Sequence, residues 1–154
     1  MRKEMPTKEI SEMDKAWIAG FFDGEGCIQI RSSHYSSRVR PNLTLTCEID
    51  NTHKESLDRI LKLLGFGTVR ELYRNNKPKH HKKIYRYQTT GWGSLELLKI
   101  LYPYLVTKKN QADVGMSFQK CGLPIGRYKK EHEDLHIFRY QCLLKLKGLK
   151  ELCR

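Results

Sequence analysis

The chain has 154 residues, of which 39% are hydrophobic and 10% aromatic, which is enough for one compact core and excludes a fully disordered chain. It carries 29 Lys and Arg against 17 Asp and Glu, a formal net charge of +12, so we expect a polyanionic partner, nucleic acid ahead of an anionic membrane. No apolar stretch approaches the roughly 18 residues that cross a bilayer, and the N-terminus has no apolar signal core, which predicts no membrane partner.

The first elements in the chain are a helix and a pair of strands. Ser11 followed by Asp14 is typical of an N-terminal cap and predicts a helix over residues 12–22. Strict alternation of apolar and polar residues over 27–33 (CIQIRSS) and 42–49 (NLTLTCEI) predicts two half-buried strands joined by a polar linker.

A second helix and a second strand pair follow. The capping box Thr52-x-x-Glu55 predicts the start of a helix with one apolar stripe, and Gly65 predicts its end. Residues 68–75 and 83–90 predict two more strands around the turn-rich string NKPKHH. The register of this pair stays open, because Ile84 competes with the neighbouring tyrosines for the buried face.

The remaining elements are helical. Ser94 is expected to cap LELLKILY, and Thr107 is expected to cap KKNQADVGMSFQK, which Gly122 ends. Apolar residues at helical spacing over 129–153 predict a last helix that docks on the core. The fold class is therefore α+β, an αββαββα order with an antiparallel sheet and C-terminal helices. We divide the chain into an N-terminal tail (1–11), a core (12–122) and a C-terminal linker with the docking helix (123–154).

The basic residues concentrate in the two predicted strand pairs. Segments 27–47 and 67–90 hold ten basic residues and one acidic residue, Glu71, which accounts for +9 of the net charge. A generally solvated surface would not show this concentration, so we expect the sheet to be the polyanion-binding surface.

Cysteine usage indicates the compartment. The five cysteines are odd in number and include no C-x-x-C pair, which excludes the usual zinc-finger and disulfide patterns. We expect an intracellular, reducing compartment, either the cytoplasm or an organelle matrix.

The string from Trp17 to Gly26 (WIAGFFDGEG) carries the first functional signal. A mid-helix glycine costs about 1 kcal/mol relative to alanine, a cost that close approach of a second helix would explain. We place Trp17, Ala19, Gly20 and Asp23 at such a helix–helix interface. After the helix, two glycines that flank an acid predict a turn with positive φ and open carbonyl groups.

Two interpretations of Asp-Gly-Glu-Gly are open at this point. It is either a helix end followed by a turn with solvated acids, or a hard oxygen set of carboxylate and carbonyl suited to Mg²⁺. Acids at the entrance to a basic strand pair favour the second, since acids that face phosphates need a cation between them.

The string I-A-G-F-F-D-G-E-G resembles the LAGLIDADG motif of homing endonucleases. The predicted element order is similar to that family's fold, and PYLVTKKNQADV downstream adds to the likeness, which extends over residues 12–120. A single motif in 154 residues resembles the homodimeric branch, in which two motif helices pack together.

The resemblance implies a role for several residues. Glu25, the last acid of the motif, would bind the divalent metal as a catalytic residue, with the carbonyl of Gly24 as a second ligand. Asp23 would support the helix end without binding metal. Lys108, in P-Y-L-V-T-K-K-N-Q-A, would stabilise transition-state charge or position water, with Lys109 as the alternative.

Asn51 occupies the place of a polar residue that orders solvent in relatives, so the resemblance makes it a catalytic candidate. Because it precedes Thr52, it could equally serve helix-cap chemistry, and both interpretations stay open.

The resemblance also implies that the sheet lies in the DNA major groove, where side chains of one face reach base edges. A solvated face or a cross-strand ion pair is the alternative for any single residue. The predicted DNA-binding residues are Gln29, Arg31, Ser33, Arg38, Arg40, Asn42, Thr44, Thr46, Glu48, Arg70, Arg74, Lys83 and Arg86.

The sequence therefore predicts a site-specific homing endonuclease with Mg²⁺ as cofactor. As a homodimer it would bind a long pseudo-palindromic double-stranded DNA site and make a double-strand break with short 3′ overhangs. Two alternatives remain: a LAGLIDADG maturase, for which intron RNA would be the partner, and a basic nucleic-acid-binding domain that does not cleave.

Overall fold

A computed structural model describes residues 9–33, 41–73, 82–122 and 130–151 of the chain. Within these ranges, no helix is long and apolar enough to cross a membrane. Two short 3-10 turns, Tyr102–Tyr104 and Lys130–His132, accompany the main elements. These elements are α1 (Glu12–Glu25), β1 (Gly26–Ser33), β2 (Asn42–Asn51), α2 (Lys54–Leu64), β3 (Thr68–Leu72), β4 (Ile84–Thr90), α3 (Trp92–Leu101), α4 (Lys109–Lys120) and α5 (Glu133–Glu151).

The four strands form one antiparallel sheet in the order β1-β2-β4-β3. Pairing of β2 with β4 joins the two hairpins, so β1 and β3 are the edges. One face packs against the helices, and we call the other the outer face. This architecture confirms the α+β prediction. The outer face carries Gln29, Arg31 and Ser33 of β1, Asn42, Thr44, Thr46, Glu48 and Asp50 of β2, Arg86 and Gln88 of β4, and Thr68 and Arg70 of β3.

Tyr87 settles the register that the sequence left open. It is fully buried and lies opposite Ile49 on one side and Val69 on the other. Its hydroxyl donates to the carbonyl oxygen of Phe66 at 3.0 Å. Alternation then places Ile84 on the outer face, because side chains an odd number of positions apart on a strand point to opposite faces.

The core lies between the sheet and the helices, with Ile18 and Phe22 of α1 and Leu57 of α2 fully buried. Cys47 on β2 is also fully buried, and burial raises the pKa of its thiol to about 12, so it packs as a neutral apolar side chain. The four cysteines within the described residues are free thiols.

Of the predicted helix signals, Ser11 and Gly65 are confirmed and Thr52 is wrong. The Oγ of Ser11 accepts the N–H of Asp14 at 3.2 Å, and Gly65 ends α2 in the left-handed conformation with φ +75°. Thr52 is not a cap, because α2 begins at Lys54 and the side-chain oxygen of Asn51 accepts the N–H of His53 at 2.8 Å.

Ser94 is also not a cap, because it lies inside α3, which begins at Trp92. It is fully buried, and its hydroxyl donates to the carbonyl oxygen of Thr89 at 2.8 Å and accepts the N–H of Cys47 at 3.2 Å. The hydroxyl thus ties α3 to the sheet, a tertiary role that a local sequence pattern does not reveal.

The junction between α1 and β1 differs from the prediction. The helix continues to Glu25 instead of ending near residue 22, and Gly26 starts β1 directly with φ −79° and ψ 158°. No positive-φ turn separates the two elements. Gly26 is required for space, since a Cβ there would lie 2.5 Å from the carbonyl oxygen of Phe22 and 2.5 Å from its ring.

Gly26→Ala is therefore expected to destabilise the fold by about 1–3 kcal/mol, the usual cost of overpacking. Gly24→Ala is the matched control, because a Cβ at Gly24 meets nothing within 4 Å. Thermal unfolding checks this, with a clearly lower Tm expected for the first variant only. Equal Tm values for the two variants would contradict the steric explanation.

The last helix, α5, packs on α4 with Cys142 and Leu146 buried. Arg139 of α5 is only 8% exposed, and it donates to the carbonyl oxygens of Phe118 (3.0 Å), Cys121 (2.9 Å) and Leu43 (3.0 Å). Burial lowers the pKa of Arg139. This side chain fastens α5 to the end of α4 and to the start of β2, which the sequence analysis missed.

Candidate active site and nucleic-acid interface

Asp23, near the end of α1, is bonded to the segment that leads into α4. Its carboxylate accepts the backbone N–H groups of Val106 (2.7 Å), Thr107 (3.3 Å) and Lys108 (3.0 Å), and the hydroxyl of Thr107 at 3.0 Å. Thr107 therefore does not cap α4, and the carboxylate of Asp23 satisfies the N–H groups that precede this helix.

These hydrogen bonds also set the charge state of Asp23. Burial raises the pKa of this carboxyl, but the hydrogen bonds from Val106, Lys108 and Thr107 together lower it more, so that the net pKa lies below 3.8. Asp23 is thus a fixed anion at neutral pH and is fully engaged within its own chain.

The ammonium group of Lys108 donates to the backbone carbonyl oxygen of Asp23. That oxygen belongs to the last turn of α1, where unpaired carbonyls form the negative end of the helix dipole. The last turn of α1 has no basic residue of its own, so Lys108 supplies the cation. Lys109 instead lies over the ring of Tyr102, 5.0 Å from its centroid, which favours Lys108 over Lys109 as the site lysine.

Glu25 is the last residue of α1 and is exposed. Within the described ranges its carboxylate makes no hydrogen bond or ion pair. A free carboxylate at the negative end of a helix is unfavourable by itself, and a bound cation would relieve it. Gly24 is exposed beside it, with an open backbone surface.

These donors fit Mg²⁺ bound to a phosphate substrate. Mg²⁺ takes oxygen ligands and usually combines one or two carboxylates with waters and substrate phosphates. The carboxylate of Glu25 and the carbonyl of Gly24 are such donors. The described parts of the chain contain no group of three His, Cys, Asp or Glu side chains that could enclose an ion alone.

Asn51 ends β2, paired in register with Tyr85. Its side-chain oxygen accepts the N–H of His53. This contact is of the helix-cap type, one of the two roles that the sequence left open for Asn51. Its role in ordering solvent stays a prediction.

The exposed side of α1 agrees only in part with the predicted helix–helix interface. Ala19 is fully buried in the chain's own core, so its placement at a helix–helix interface is wrong. Gly20 is exposed, together with Ala16 and Gly24 one turn before and after it. Neighbouring helix positions point about 100° apart, so that α1 turns Ala19 towards the core and Gly20 towards the surface.

Trp17 has contacts within the chain. Its ring lies 5.9 Å from the ring of Phe21, and the guanidinium of Arg59 lies 4.8 Å from its centroid. Trp17 is half-buried, so part of its surface remains open beside Gly20.

The predicted DNA-binding residues of the described ranges lie on the outer face, apart from Lys83, which precedes β4 and pairs with Glu71 at 3.2 Å. Arg38, Arg40 and Arg74 lie outside the described residues. The exposed members of this set lie on the edge strands β1 and β3 or at the start of β2, which does not pair with β4. The exposed residues are Arg31, Ser33, Asn42 and Arg70, and the half-buried ones are Gln29, Thr44 and Arg86.

Two side chains that were predicted to contact bases are covered by neighbouring side chains. Thr46 is 1% and Glu48 is 2% exposed, although both belong to the outer face. Glu48 forms ion pairs with Arg31 at 2.5 Å and Arg86 at 3.1 Å. The expectation that these two side chains stand free for base contact is wrong for the protein alone, because interior strands are covered by the long side chains of their neighbours.

Acids also neutralise the centre of this face. Asp50, which the sequence analysis missed, accepts two hydrogen bonds from Arg86 at 2.6 and 2.7 Å. The segments counted for charge end at residue 47, just before Glu48 and Asp50. Extending the predicted strand from residue 49 to residue 51 would have placed Asp50 on the same face as Glu48, because positions 46, 48 and 50 share one face.

The order of helices and strands matches a known family of DNA endonucleases. A family model described as "LAGLIDADG endonuclease" matches residues 18–117, and the chain belongs to this family. The resemblance stated from the motif is thereby confirmed.

Among characterised proteins, DNA endonuclease I-CvuI of Chlorella vulgaris is 31% identical over 119 residues, covering 75% of this chain and 69% of that protein. A crystal structure of I-CvuI with its DNA target in the presence of Ca has a TM-score of 0.73 and 25% identity, over 89% of this chain and 82% of the other. The archaeal intron-encoded I-Vdi141I, solved with DNA, has a TM-score of 0.71 at 16% identity, over 90% of this chain and 84% of the other, and shows the fold alone.

Proposed function

We propose that this protein is a site-specific homing endonuclease that binds a long pseudo-palindromic DNA site as a homodimer. With Mg²⁺ it makes a double-strand break and leaves short 3′ overhangs. The observation that carries the proposal is the exposed carboxylate of Glu25 at the tip of α1, next to the Asp23 carbonyl oxygen that accepts a hydrogen bond from Lys108. The endonuclease I-CvuI, with which the chain shares 31% identity, supports it.

Each side chain at the tip of α1 has a different role in the proposed reaction. Asp23 fixes the backbone of residues 106–108 and so holds Lys108 at the helix tip. The ammonium of Lys108 is positioned to stabilise negative charge on a phosphodiester group. Glu25 and the carbonyl of Gly24 would hold Mg²⁺, which when bound activates water and stabilises the leaving oxygen.

The outer face would read the duplex. An antiparallel sheet fits the major groove, and the exposed Arg31 and Arg70 can donate to guanine while Asn42 can pair with adenine. The edge strand β1 follows α1 without a loop, so the proposed reading surface would lie next to the proposed cutting site.

The dimer would form through the exposed side of α1. Gly20→Leu is expected to weaken dimerisation by more than about 100-fold, near 2.7 kcal/mol, because a large side chain would separate two closely packed helices. The monomer should fold normally, since a Cβ at Gly20 meets nothing within 4 Å. Sedimentation equilibrium measures the change. Lys99→Leu, which adds leucine to the surface of α3, is the control, and a dimeric Gly20→Leu variant would contradict this interface.

A cleavage screen tests the proposed function. Wild-type protein is incubated with duplexes that span the uninterrupted host-gene junction, once with Mg²⁺ and once with Ca²⁺. We expect cutting with Mg²⁺ and binding without cutting with Ca²⁺. Absence of both binding and cutting on every junction duplex would overturn the proposal, while binding without cutting in Mg²⁺ would favour a non-cleaving protein.

A further inference from the structure

Glu48 is a buried carboxylate in the middle of the outer face. Its side chain is 3% exposed, and both of its oxygens are used. One oxygen pairs with Arg31 at 2.5 Å. The other pairs with Arg86 at 3.1 Å and accepts the amide of Gln29 at 3.4 Å. A single acid therefore contacts three of the predicted base-reading side chains.

Arg86 has its three guanidinium nitrogens engaged by acids. Nε and Nη2 donate to the two oxygens of Asp50 at 2.6 and 2.7 Å, and Nη1 lies 3.1 Å from Glu48. Its side chain is 20% exposed. Arg86 could contact a base only after leaving both carboxylates, so it acts as part of the sheet and not as a reader of DNA.

Arg31 is placed differently. It contacts Glu48 through Nη2, and its side chain is 42% exposed on an edge strand. A guanidinium held at one nitrogen by a fixed acid keeps its other donors in a defined direction. Such a side chain loses little freedom when it makes two hydrogen bonds to a base.

We propose that Glu48 is a positioning residue for DNA recognition, which holds Arg31 in its base-reading orientation while Asp50 and Glu48 together keep Arg86 out of the groove. This inference rests on the proposed function, because it assumes that the outer face binds DNA. It replaces the expected direct contact between Glu48 and cytosine.

The proposal predicts opposite changes in specificity and in non-specific affinity. In Glu48→Gln, Arg31 and Arg86 lose a shared counter-charge, and Arg31 becomes free to contact a phosphate, whereas Asp50 still holds Arg86. The base preference at the Arg31 position, worth about 5- to 150-fold in wild type, should fall to below about 3-fold. Non-specific binding should tighten. The slope of log affinity against log salt concentration should become steeper by about 0.9 per protomer.

The experiment uses selection from a randomised duplex library in Ca²⁺, followed by binding titrations at several salt concentrations. Glu48→Gln is compared with wild type and with Glu96→Gln. Glu96 is a half-buried residue of α3 that pairs with Lys99, so this control removes the same charge away from the sheet. Failure of wild type to enrich any sequence would overturn the proposed function itself. If wild type and Glu48→Gln enrich the same sequence motif, the proposed role of Glu48 is overturned but the proposed function is not.

Arg31→Lys keeps the test decisive if Glu48→Gln does not fold. Lysine keeps the charge next to Glu48 but lacks the planar fork of arginine, so affinity should hold while preference at one base position is lost. Retention of that preference would overturn the proposal. In the double variant with Glu48→Gln, no additional loss is expected at that position, because Glu48 acts through Arg31.

Discussion

Glu25→Gln is expected to abolish DNA cleavage and to leave site-specific binding intact. The amide has nearly the shape of the carboxylate but no charge to hold a divalent cation at the tip of α1. Loss of metal-based charge stabilisation, worth several kcal/mol, should lower the cleavage rate by about 1,000-fold or more. Single-turnover cleavage in Mg²⁺ and binding in Ca²⁺ measure the two effects separately.

Glu12→Gln is the matched control for this prediction. Glu12 is in the first turn of the same helix, is exposed and pairs with Lys15 on the surface at 2.7 Å. It should cleave at the wild-type rate. If Glu25→Gln lost binding together with cleavage, Glu25 would be a structural acid and its catalytic role would be wrong.

Asp23→Ala is expected to destabilise the protein by about 2–4 kcal/mol, because three backbone N–H groups before α4 lose a charged acceptor. The corresponding fall in Tm is about 5–15 °C. Cleavage should also fall in the folded fraction, because residues 106–108 no longer hold Lys108 in place. Asp58→Ala, which removes a surface ion pair with Lys54, should change stability by less than about 1 kcal/mol.

The acid dependence of stability gives a further test of Asp23. Its pKa in the folded protein lies below the ordinary value of 3.8, so its contribution to stability is present above that value and is lost as pH falls through the lower folded pKa. The stability difference between wild type and Asp23→Ala should therefore shrink below about pH 4. Denaturant unfolding between pH 3 and 7 measures it, and a constant difference would contradict the assignment.

Local patterns predicted the elements but not which groups close their ends. The strand predicted over 42–49 and the left-handed stop at Gly65 follow from local properties, and both are confirmed. Ser94 and Thr107 looked like caps because each precedes a helix pattern, but the hydroxyl of Ser94 accepts the N–H of Cys47 and that of Thr107 donates to Asp23, both far away in the chain. Partners 84 positions apart, such as Asp23 and Thr107, leave no trace in a local pattern.

The site was predicted as far as the motif reaches. Glu25 and Lys108 could be named because their strings resemble a family, whereas the covering of Glu48 depends on which strands are neighbours. The pairing of β2 with β4 brings Arg86 next to Asp50, and single-sequence alternation does not specify this pairing. Ala19 and Gly20 show the same limit, since the side of a helix that faces the core is set by packing.

The direct passage from α1 into β1 has a consequence for fidelity. With Glu25 and Gly26 adjacent in the chain and no loop between helix and strand, a displacement of β1 on bound DNA would be transmitted to the acid at the helix tip. A mismatched base pair under β1 would then misalign the acid against its phosphate even where the duplex stays bound. We expect discrimination at the cutting step to exceed discrimination at the binding step for base pairs beneath this strand.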